Sequence, residues 1–210
     1  MKRLVMVVWC VALAGSALAQ TAFGVLAGPE FSSLTSKMNG AKTTTHMLAG
    51  VAAGAYVRLP LAHAFSVQPS LLYEGKGGSQ QQSGYKVKTR LNYLTLPVDF
   101  LYMPVSAGPS SGQWMVGLGP YLAYGLSGKI SGGPSLVDVS GDPFRDGAGA
   151  QKRFDAGADV MAGYSFDTGF SVSLHADLGV LNLAHEGNSQ NGLRNTAFKV
   201  LLGYRVGTSR

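Results

Sequence analysis

The segment from Phe170 to Val180 alternates without a break between two kinds of side chain. Every even position is apolar, and every odd position is serine, histidine, aspartate or glycine. A period of two is typical of a β-strand with one apolar and one polar face. A chain in which this pattern recurs can fold only into sheets whose two faces meet different surroundings.

Seven other segments carry the same alternation. Valine, leucine, alanine and aromatic residues make up one face, and glycine, serine and ionisable residues make up most of the other. The segments are Phe23–Phe31, Met47–Arg58, Phe65–Glu74, Leu94–Tyr102, Trp114–Gly125, Phe154–Phe166 and Phe198–Val206. With Phe170–Val180 they predict an all-β protein of eight antiparallel strands.

The segments between the strands alternate in length. Polar stretches that we interpret as long loops occupy residues 35–45, 76–89, 129–151 and 183–195. Shorter connections at residues 60–64, 104–112 and 167–169 come between them. This alternation is typical of up-and-down barrels of bacterial outer membranes, with long loops outside and short turns in the periplasm. It predicts that the N-terminus of the mature chain is periplasmic.

Aromatic residues of the apolar faces gather near the strand ends. Those near the short turns are Phe23, Phe65, Tyr102, Trp114, Phe166, Phe170 and Tyr204; those near the long loops are Phe31, Tyr73, Tyr124, Phe154 and Phe198. Rings prefer the membrane interface, whereas aliphatic side chains prefer the hydrocarbon. The ten-residue step from Trp114 to Tyr124 covers about 25 Å of height on a tilted strand. We therefore predict an eight-stranded antiparallel up-and-down transmembrane β-barrel in place of the alternative, a secreted soluble β-protein.

The N-terminus has the features of a secretory signal peptide. Lys2 and Arg3 precede an apolar run that is too short to span a membrane, and Ala17 and Ala19 are the small residues of a cleavage site. We predict a signal peptide at residues 1–19 and one barrel domain at residues 20–210.

The single cysteine, Cys10, lies in the signal peptide, so the mature chain has no disulfide and no thiolate metal site. The full chain has 17 basic residues, and removing Lys2 and Arg3 leaves 15 against 11 acidic residues. Because the basic residues form no continuous run, we expect no nucleic-acid binding.

Three short motifs carry a family resemblance. The segments Gln68–Tyr73, Tyr93–Val98 and Gly119–Tyr124 resemble the small outer-membrane β-barrel family common in Bacteroidota, often labelled "porin family protein" or outer membrane protein β-barrel domain. The resemblance covers nearly the whole mature chain and implies an eight-stranded, non-catalytic barrel without naming a substrate. Barrels of this kind usually finish on an aromatic residue that the assembly machinery reads. Here Tyr204 is followed by six further residues, which leaves the end of the last strand open.

Ionisable residues on the polar faces would point into the lumen of such a barrel. They are Glu30, Arg58, Glu74, Asp99, Asp155, Asp159, His175, Asp177, Lys199 and Arg205. The lumen of an eight-stranded barrel is about wide enough for side chains to fill, and buried charges there must pair. We interpret the ten residues as a structural charge network, in which Lys199 or Arg205 is the partner of Asp177. A proton path, an ion path or a gate is the functional alternative.

Ser173, His175 and Asp177 are a candidate hydrolase site, since some small outer-membrane barrels are lipid A-modifying enzymes. The three residues lie on one strand with about 7 Å between neighbours, which we take as too far for a nucleophile–base hydrogen bond. A catalytic set would need residues from other strands, which the sequence does not identify. We therefore expect no catalytic, cofactor-binding or metal-binding residue, and no cofactor.

These observations predict a non-catalytic outer-membrane protein with a structural or surface-interaction role through its long loops. A small porin or channel is the alternative, and a lipid A-modifying enzyme is a further one. The expected partners are outer-membrane lipid and lipopolysaccharide, the barrel-assembly machinery and an unknown extracellular ligand.

Overall fold

The computed structural model describes residues 21–62, 64–82, 85–104, 112–131, 143–144, 151–184 and 191–207. The predicted signal peptide and most of the segments 132–150 and 185–190 lie outside these residues. The strands are β1 (Ala22–Met38), β2 (Ala41–Thr44), β3 (Leu48–Ala62), β4 (Phe65–Gln82), β5 (Tyr85–Tyr102), β6 (Gln113–Ser131), β7 (Phe154–Ser165), β8 (Phe170–Gly179) and β9 (Gly192–Arg205). No helix in the described ranges has the length and apolar character that a membrane span requires.

The long strands form one closed ring. Strands β1 and β3 to β9 pair in chain order, and every pairing is antiparallel. A further ladder joins β1 to β9, so the sheet has no open edge along the barrel. Because β2 is a short arm that pairs only with the far end of β1, the ring has eight strands. The predicted eight-stranded antiparallel up-and-down barrel is confirmed.

The two faces of the wall are reversed relative to a soluble protein. On β6 the apolar side chains Trp114, Leu118 and Leu122 are 67%, 66% and 51% exposed, while Tyr121 between them is 1% exposed. The same alternation along β1 leaves Phe23 and Val25 outside and Leu26 inside. An outer surface of this kind is stable in lipid, and charged groups are kept on the inner face.

Both predicted aromatic belts lie on the outer surface. All twelve rings named above are at least 40% exposed. Near the short turns, Phe65 packs on Tyr102 and Phe170 packs on Tyr204, with ring centroids 5.2 and 4.9 Å apart. At the other end Tyr124 meets the ring of Phe154 at 6.0 Å. These pairs come from directly opposed positions in the ladders, so strand register aligns the belts.

Two segments predicted as loops are strands instead. The stretch 35–45 continues β1 to Met38, turns at Asn39 and Gly40, and returns as β2. The stretch 76–89 extends the β4–β5 hairpin until Gln82 opposes Tyr85. Ladder hydrogen bonds do not require an apolar face, so a hairpin can continue beyond the lipid without the alternation that marks its lower part. We call this side of the barrel the loop end and the opposite side the turn end.

The interior is layered along the barrel axis. Near the turn end the filling is apolar, made of Leu101, Met103, Met115 and Met161 on one wall and Leu26, Ala52, Tyr56, Leu72 and Leu201 on the other. Towards the loop end a second apolar layer contains Leu91, Tyr93, Tyr121, Ala123 and Phe144. Most of the buried charged residues lie between these layers: along β5, for example, the inward positions run from Leu101 through Asp99 and Thr95 to Tyr93.

Candidate functional site in the barrel lumen

Strand register brings the predicted charged residues to one level of the lumen. Asp159 on β7 opposes Asp177 on β8, and His175 on β8 opposes Lys199 on β9. Lys199 also opposes Glu30 on β1. Inward-facing positions two residues apart share one face, so neighbouring strands present a continuous band of charge.

Two lysines occupy the centre of this band. Lys199 Nζ lies 2.7 Å from Glu74 Oε1 and 2.9 Å from Asp177 Oδ1. Lys76 Nζ lies 2.8 Å from Glu74 Oε2 and 2.9 Å from Asp177 Oδ2. The side chains of both lysines and of Glu74 have no exposed surface, and that of Asp177 is 2% exposed. Each carboxylate is thus shared between two ammonium groups in a square of alternating charge. We call these four residues the lysine–carboxylate square.

Further groups complete the hydrogen bonding around the square. The Thr95 hydroxyl donates to Glu74 Oε2 at 2.6 Å. The Lys76 ammonium lies 4.9 Å from the centre of the Tyr121 ring, a favourable cation–π distance. Buried charges are stable only when such additional contacts replace lost water.

Lys76 is the member of the square that sequence reasoning missed, because it lies in a stretch interpreted as a loop. A signal was present. The inward positions of β4 are the even ones, so continuing the alternation beyond Glu74 leads directly to Lys76.

The expected separation of Ser173 from His175 is wrong. His175 Nε2 lies 3.1 Å from Ser173 Oγ, although the two residues are neighbours on one face of β8. Their backbones are about 7 Å apart, but the imidazole is long enough to lean along the strand and reach the hydroxyl. The other ring nitrogen, Nδ1, lies 3.1 and 3.2 Å from the two carboxylate oxygens of Asp159 on β7. The third group is therefore Asp159 from the next strand, while Asp177 binds the lysines.

Three predicted carboxylates lie in the lumen without a full set of partners. Glu30, Asp99 and Asp155 are all fully buried. Among the described residues, neither oxygen of Glu30 or of Asp99 has a hydrogen-bond partner. Asp155 accepts a bond from the Tyr121 hydroxyl at 3.3 Å, and its other oxygen has no partner in the described part of the chain.

The two predicted arginines lie away from the square. Arg58 donates from Nε and Nη2 to Gln68 Oε1 at 3.0 and 2.8 Å, and its Nη2 lies 3.3 Å from Met115 Sδ. Arg205 is half-buried at the turn end and forms no ion pair with the described carboxylates. Of the two predicted partners of Asp177, the structure places Lys199 in contact with it.

The lumen of the described part of the chain carries more negative than positive groups. Six carboxylates are buried there: Glu30, Glu74, Asp99, Asp155, Asp159 and Asp177. The buried cationic groups are Arg58, Lys76 and Lys199, together with His175 if it is protonated. The square is balanced within itself, so the excess falls on the carboxylates around it.

Comparison with known proteins agrees with this architecture. A family model described as outer membrane protein beta-barrel domain matches residues 18–185. No curated protein shows significant sequence similarity to the chain.

Solved outer-membrane proteins align with most of the chain at low sequence identity. The outer membrane protein OprG of Pseudomonas aeruginosa is 11% identical over 90% of this chain and 97% of its own, with a TM-score of 0.50. Neisserial surface protein A is 10% identical over 87% of this chain and 96% of its own, with a TM-score of 0.48. The attachment invasion locus protein Ail of Yersinia pestis is 14% identical over 89% of this chain and 99% of its own, with a TM-score of 0.44. The family match spans most of the chain and coincides with a closed ring of eight strands, so this protein belongs to the outer membrane protein β-barrel domain family.

Proposed function

We propose that this protein is a non-catalytic outer-membrane barrel with a closed lumen, which acts through its loop end. The observation that carries the proposal is the ion pair between Lys76 and Asp177. Their strands, β4 and β8, are four places apart in the ring of eight and therefore face each other across the barrel. A 2.9 Å contact between them crosses the full width of the lumen.

Other contacts support a closed lumen. The pair between Lys199 and Glu74 joins β9 to β4 across the interior at 2.7 Å. Apolar layers lie on both sides of the square along the axis. An ion that crossed would have to separate fully buried ion pairs, for which the cost of desolvation is several kcal/mol per ion. These features favour a structural plug over the alternative of a small porin.

Planar-bilayer recording tests this part of the proposal. We expect the purified wild-type barrel to show no discrete conductance. The comparison is the double variant with Lys76→Ala and Asp177→Ala. It removes the contact across the diameter, and because both partners are removed, neither charge of that pair is left behind. It represents a partly opened lumen. Steady single-channel currents in the wild type would contradict a closed lumen.

The surface around the loop end is basic in the described residues. Lys42, Arg90 and Arg194 are exposed there. Every described acid lies in the lumen except Asp167, which is at the turn end. Leu94 on β5 pairs with Tyr73 and Tyr124 of the aromatic belt at the loop end. Arg90 lies four residues farther towards the loop end, which places it at the height of the lipid headgroups. This arrangement supports phosphate groups of lipopolysaccharide as a contact of the loop end.

Binding to lipopolysaccharide vesicles tests the surface role. The variant with Lys42→Gln and Arg90→Gln should bind several-fold more weakly than the wild type. Arg205→Gln, at the turn end, is the matched control and should bind as the wild type does. Equal binding by all three proteins would remove the support that the basic residues give to this partner.

A lipid A-modifying enzyme is the second candidate, because hydrogen bonds link Ser173 to His175 and His175 to Asp159. Two features disfavour it. Ser173 is 3% exposed, and its hydroxyl faces the lumen and not the lipid. The lipid A mass profile of a deletion strain, complemented with wild type or with Ser173→Ala, decides between the candidates. We expect identical profiles; a change that only the wild type restores would establish the enzyme.

A further inference from the structure

Asp99 on β5 is a buried carboxylate with no hydrogen-bond partner in the described part of the chain. The residue has no exposed surface, and neither oxygen has a hydrogen-bond partner among the described residues. An ionised carboxylate cannot be buried in this way at low cost unless a cation or a proton accompanies it. The position of Asp99 therefore calls for an additional positive group.

The strand between Asp99 and Asp159 contributes no side chain at their level. Gly119 on β6 stands between Asp99 on β5 and Asp159 on β7, directly opposite Asp159 in the β6–β7 ladder. A Cβ atom at Gly119 would overlap the carbonyl of Val98 and lie 2.8 Å from the Asp99 Cα. Because glycine has no side chain, the two carboxylates face each other across β6 with nothing of that strand between them.

The imidazole of His175 completes a set of three ligand groups. One atom of Asp99, one of Asp159 and one ring nitrogen of His175 all lie within 4.8 Å of one another. Ligand atoms at about 2.0–2.2 Å from one tetrahedral zinc ion lie roughly 3.3–3.6 Å apart, so the three groups would have to draw together by about 1 Å to bind it. We propose that Asp99, Asp159 and His175 bind one divalent transition-metal cation inside the barrel.

A second trio in the lumen serves as an internal comparison. Glu30, Glu74 and Asp177 also bring three ligand atoms within 4.8 Å. There the ammonium groups of Lys76 and Lys199 already occupy the space between Glu74 and Asp177, at 2.7 to 2.9 Å. Among the described residues, no ammonium group lies in the centre of the trio around Asp99. Lys199 reaches only its edge, 3.7 Å from Asp159 Oδ2.

The surroundings of His175 suit a metal ligand. The nitrogen that faces Asp159 is Nδ1, so Nδ1 would give up its proton and bind the metal. The other nitrogen would then carry a proton and donate it to Ser173 Oγ, at the observed 3.1 Å. A second hydrogen bond of this kind orients most histidine ligands in metal sites. Two carboxylates with one imidazole favour zinc, manganese or iron(II) over magnesium or calcium.

Metal content and stability test the proposal. Untagged protein, extracted from outer membranes in detergent, is equilibrated separately with Zn²⁺ and with Mn²⁺, washed, and analysed by mass spectrometry for bound metal and by thermal unfolding. We expect about one equivalent of metal per wild-type chain and a higher melting temperature than in chelator. Asp99→Asn should weaken binding by at least about tenfold and abolish the metal-dependent shift.

Glu30→Gln is the matched control, because Glu30 is equally buried and equally unpartnered but belongs to the other trio. It should bind metal as the wild type does. Cobalt(II) added to the wild type provides a readout that needs no variant: a site with imidazole and carboxylate ligands gives visible absorption bands that zinc removes. Metal retained by Asp99→Asn, or a wild type with neither bound metal nor a cobalt spectrum, would overturn the proposal and leave Asp99 as a carboxylic acid that keeps its proton.

Discussion

At the scale of single residues, Asp177 makes the most consequential contacts in the lumen. It accepts from Lys76 and from Lys199, both at 2.9 Å, and all three side chains are buried. Asp177→Asn removes the charge and leaves the size of the side chain nearly unchanged. We expect the variant to lose about 3–5 kcal/mol of stability, since both ammonium groups are left with one carboxylate fewer. The measurement is the urea midpoint in detergent or lipid vesicles.

Asp167→Asn is the control for that measurement, because Asp167 is an exposed acid in the turn between β7 and β8. It should unfold within about 0.5 kcal/mol of the wild type. If both variants unfolded alike, the lumen pairs would have no net effect on stability, and the square would be tolerated without being stabilising.

Alternation predicted the inward direction of single residues better than it predicted their contacts. It placed Asp177 and Lys199 on the polar face of neighbouring strands, where they are observed 2.9 Å apart. It could not show that the ring of His175 leans along β8 to Ser173, because that contact depends on a side-chain rotamer. It also did not identify Asp159 as the third group, because Asp159 directly opposes Asp177 in the β7–β8 ladder. His175 reaches Asp159 along the diagonal of that ladder, which depends on the rotamer of the ring.

At the scale of elements, the sequence predicted the strands where lipid imposes a pattern and missed them where water does not. The opening segment matches β8 to within one residue. In contrast, β4 continues eight residues beyond Glu74, through glycine and glutamine, to Gln82. Beyond the aromatic belt the outer face of the hairpin no longer meets lipid, so the selection for alternate apolar residues ends while the backbone ladder continues.

The β7–β8 turn provides a test at this scale. Gly169 has a φ of +91°, and a Cβ placed there would meet no atom closer than 3.5 Å. The cost of Gly169→Ala is therefore a cost of backbone conformation alone, about 1–2 kcal/mol. Urea unfolding should show this loss, whereas Thr168→Ala, at the exposed neighbouring position, should be nearly neutral. A neutral Gly169→Ala would mean that the turn relaxes to another conformation.

At the scale of the whole molecule, the barrel separates two solvents. Its outer surface is apolar between two aromatic belts, and its interior holds the charged residues that a soluble protein keeps outside. This reversal explains how 46% hydrophobic residues coexist with a lumen lined by six carboxylates. Closure of the ring through β1 and β9 is what makes the arrangement possible, because it satisfies the strand edges that lipid could not.

The position of the apolar belt can be tested by placing one charge at different heights. Leu118 is 66% exposed and lies between Trp114 and Tyr124 on β6, near the middle of the belt. Leu118→Arg should reduce the stability of the barrel in lipid vesicles by about 2–4 kcal/mol, the cost of an arginine near the bilayer midplane. Leu126→Arg, on the same strand but beyond Tyr124, should cost about 0–1 kcal/mol, because the guanidinium reaches the headgroups. In detergent micelles, which adapt to the protein, the difference between the two variants should shrink. Equal costs in vesicles would show that the hydrocarbon does not lie between the two aromatic belts.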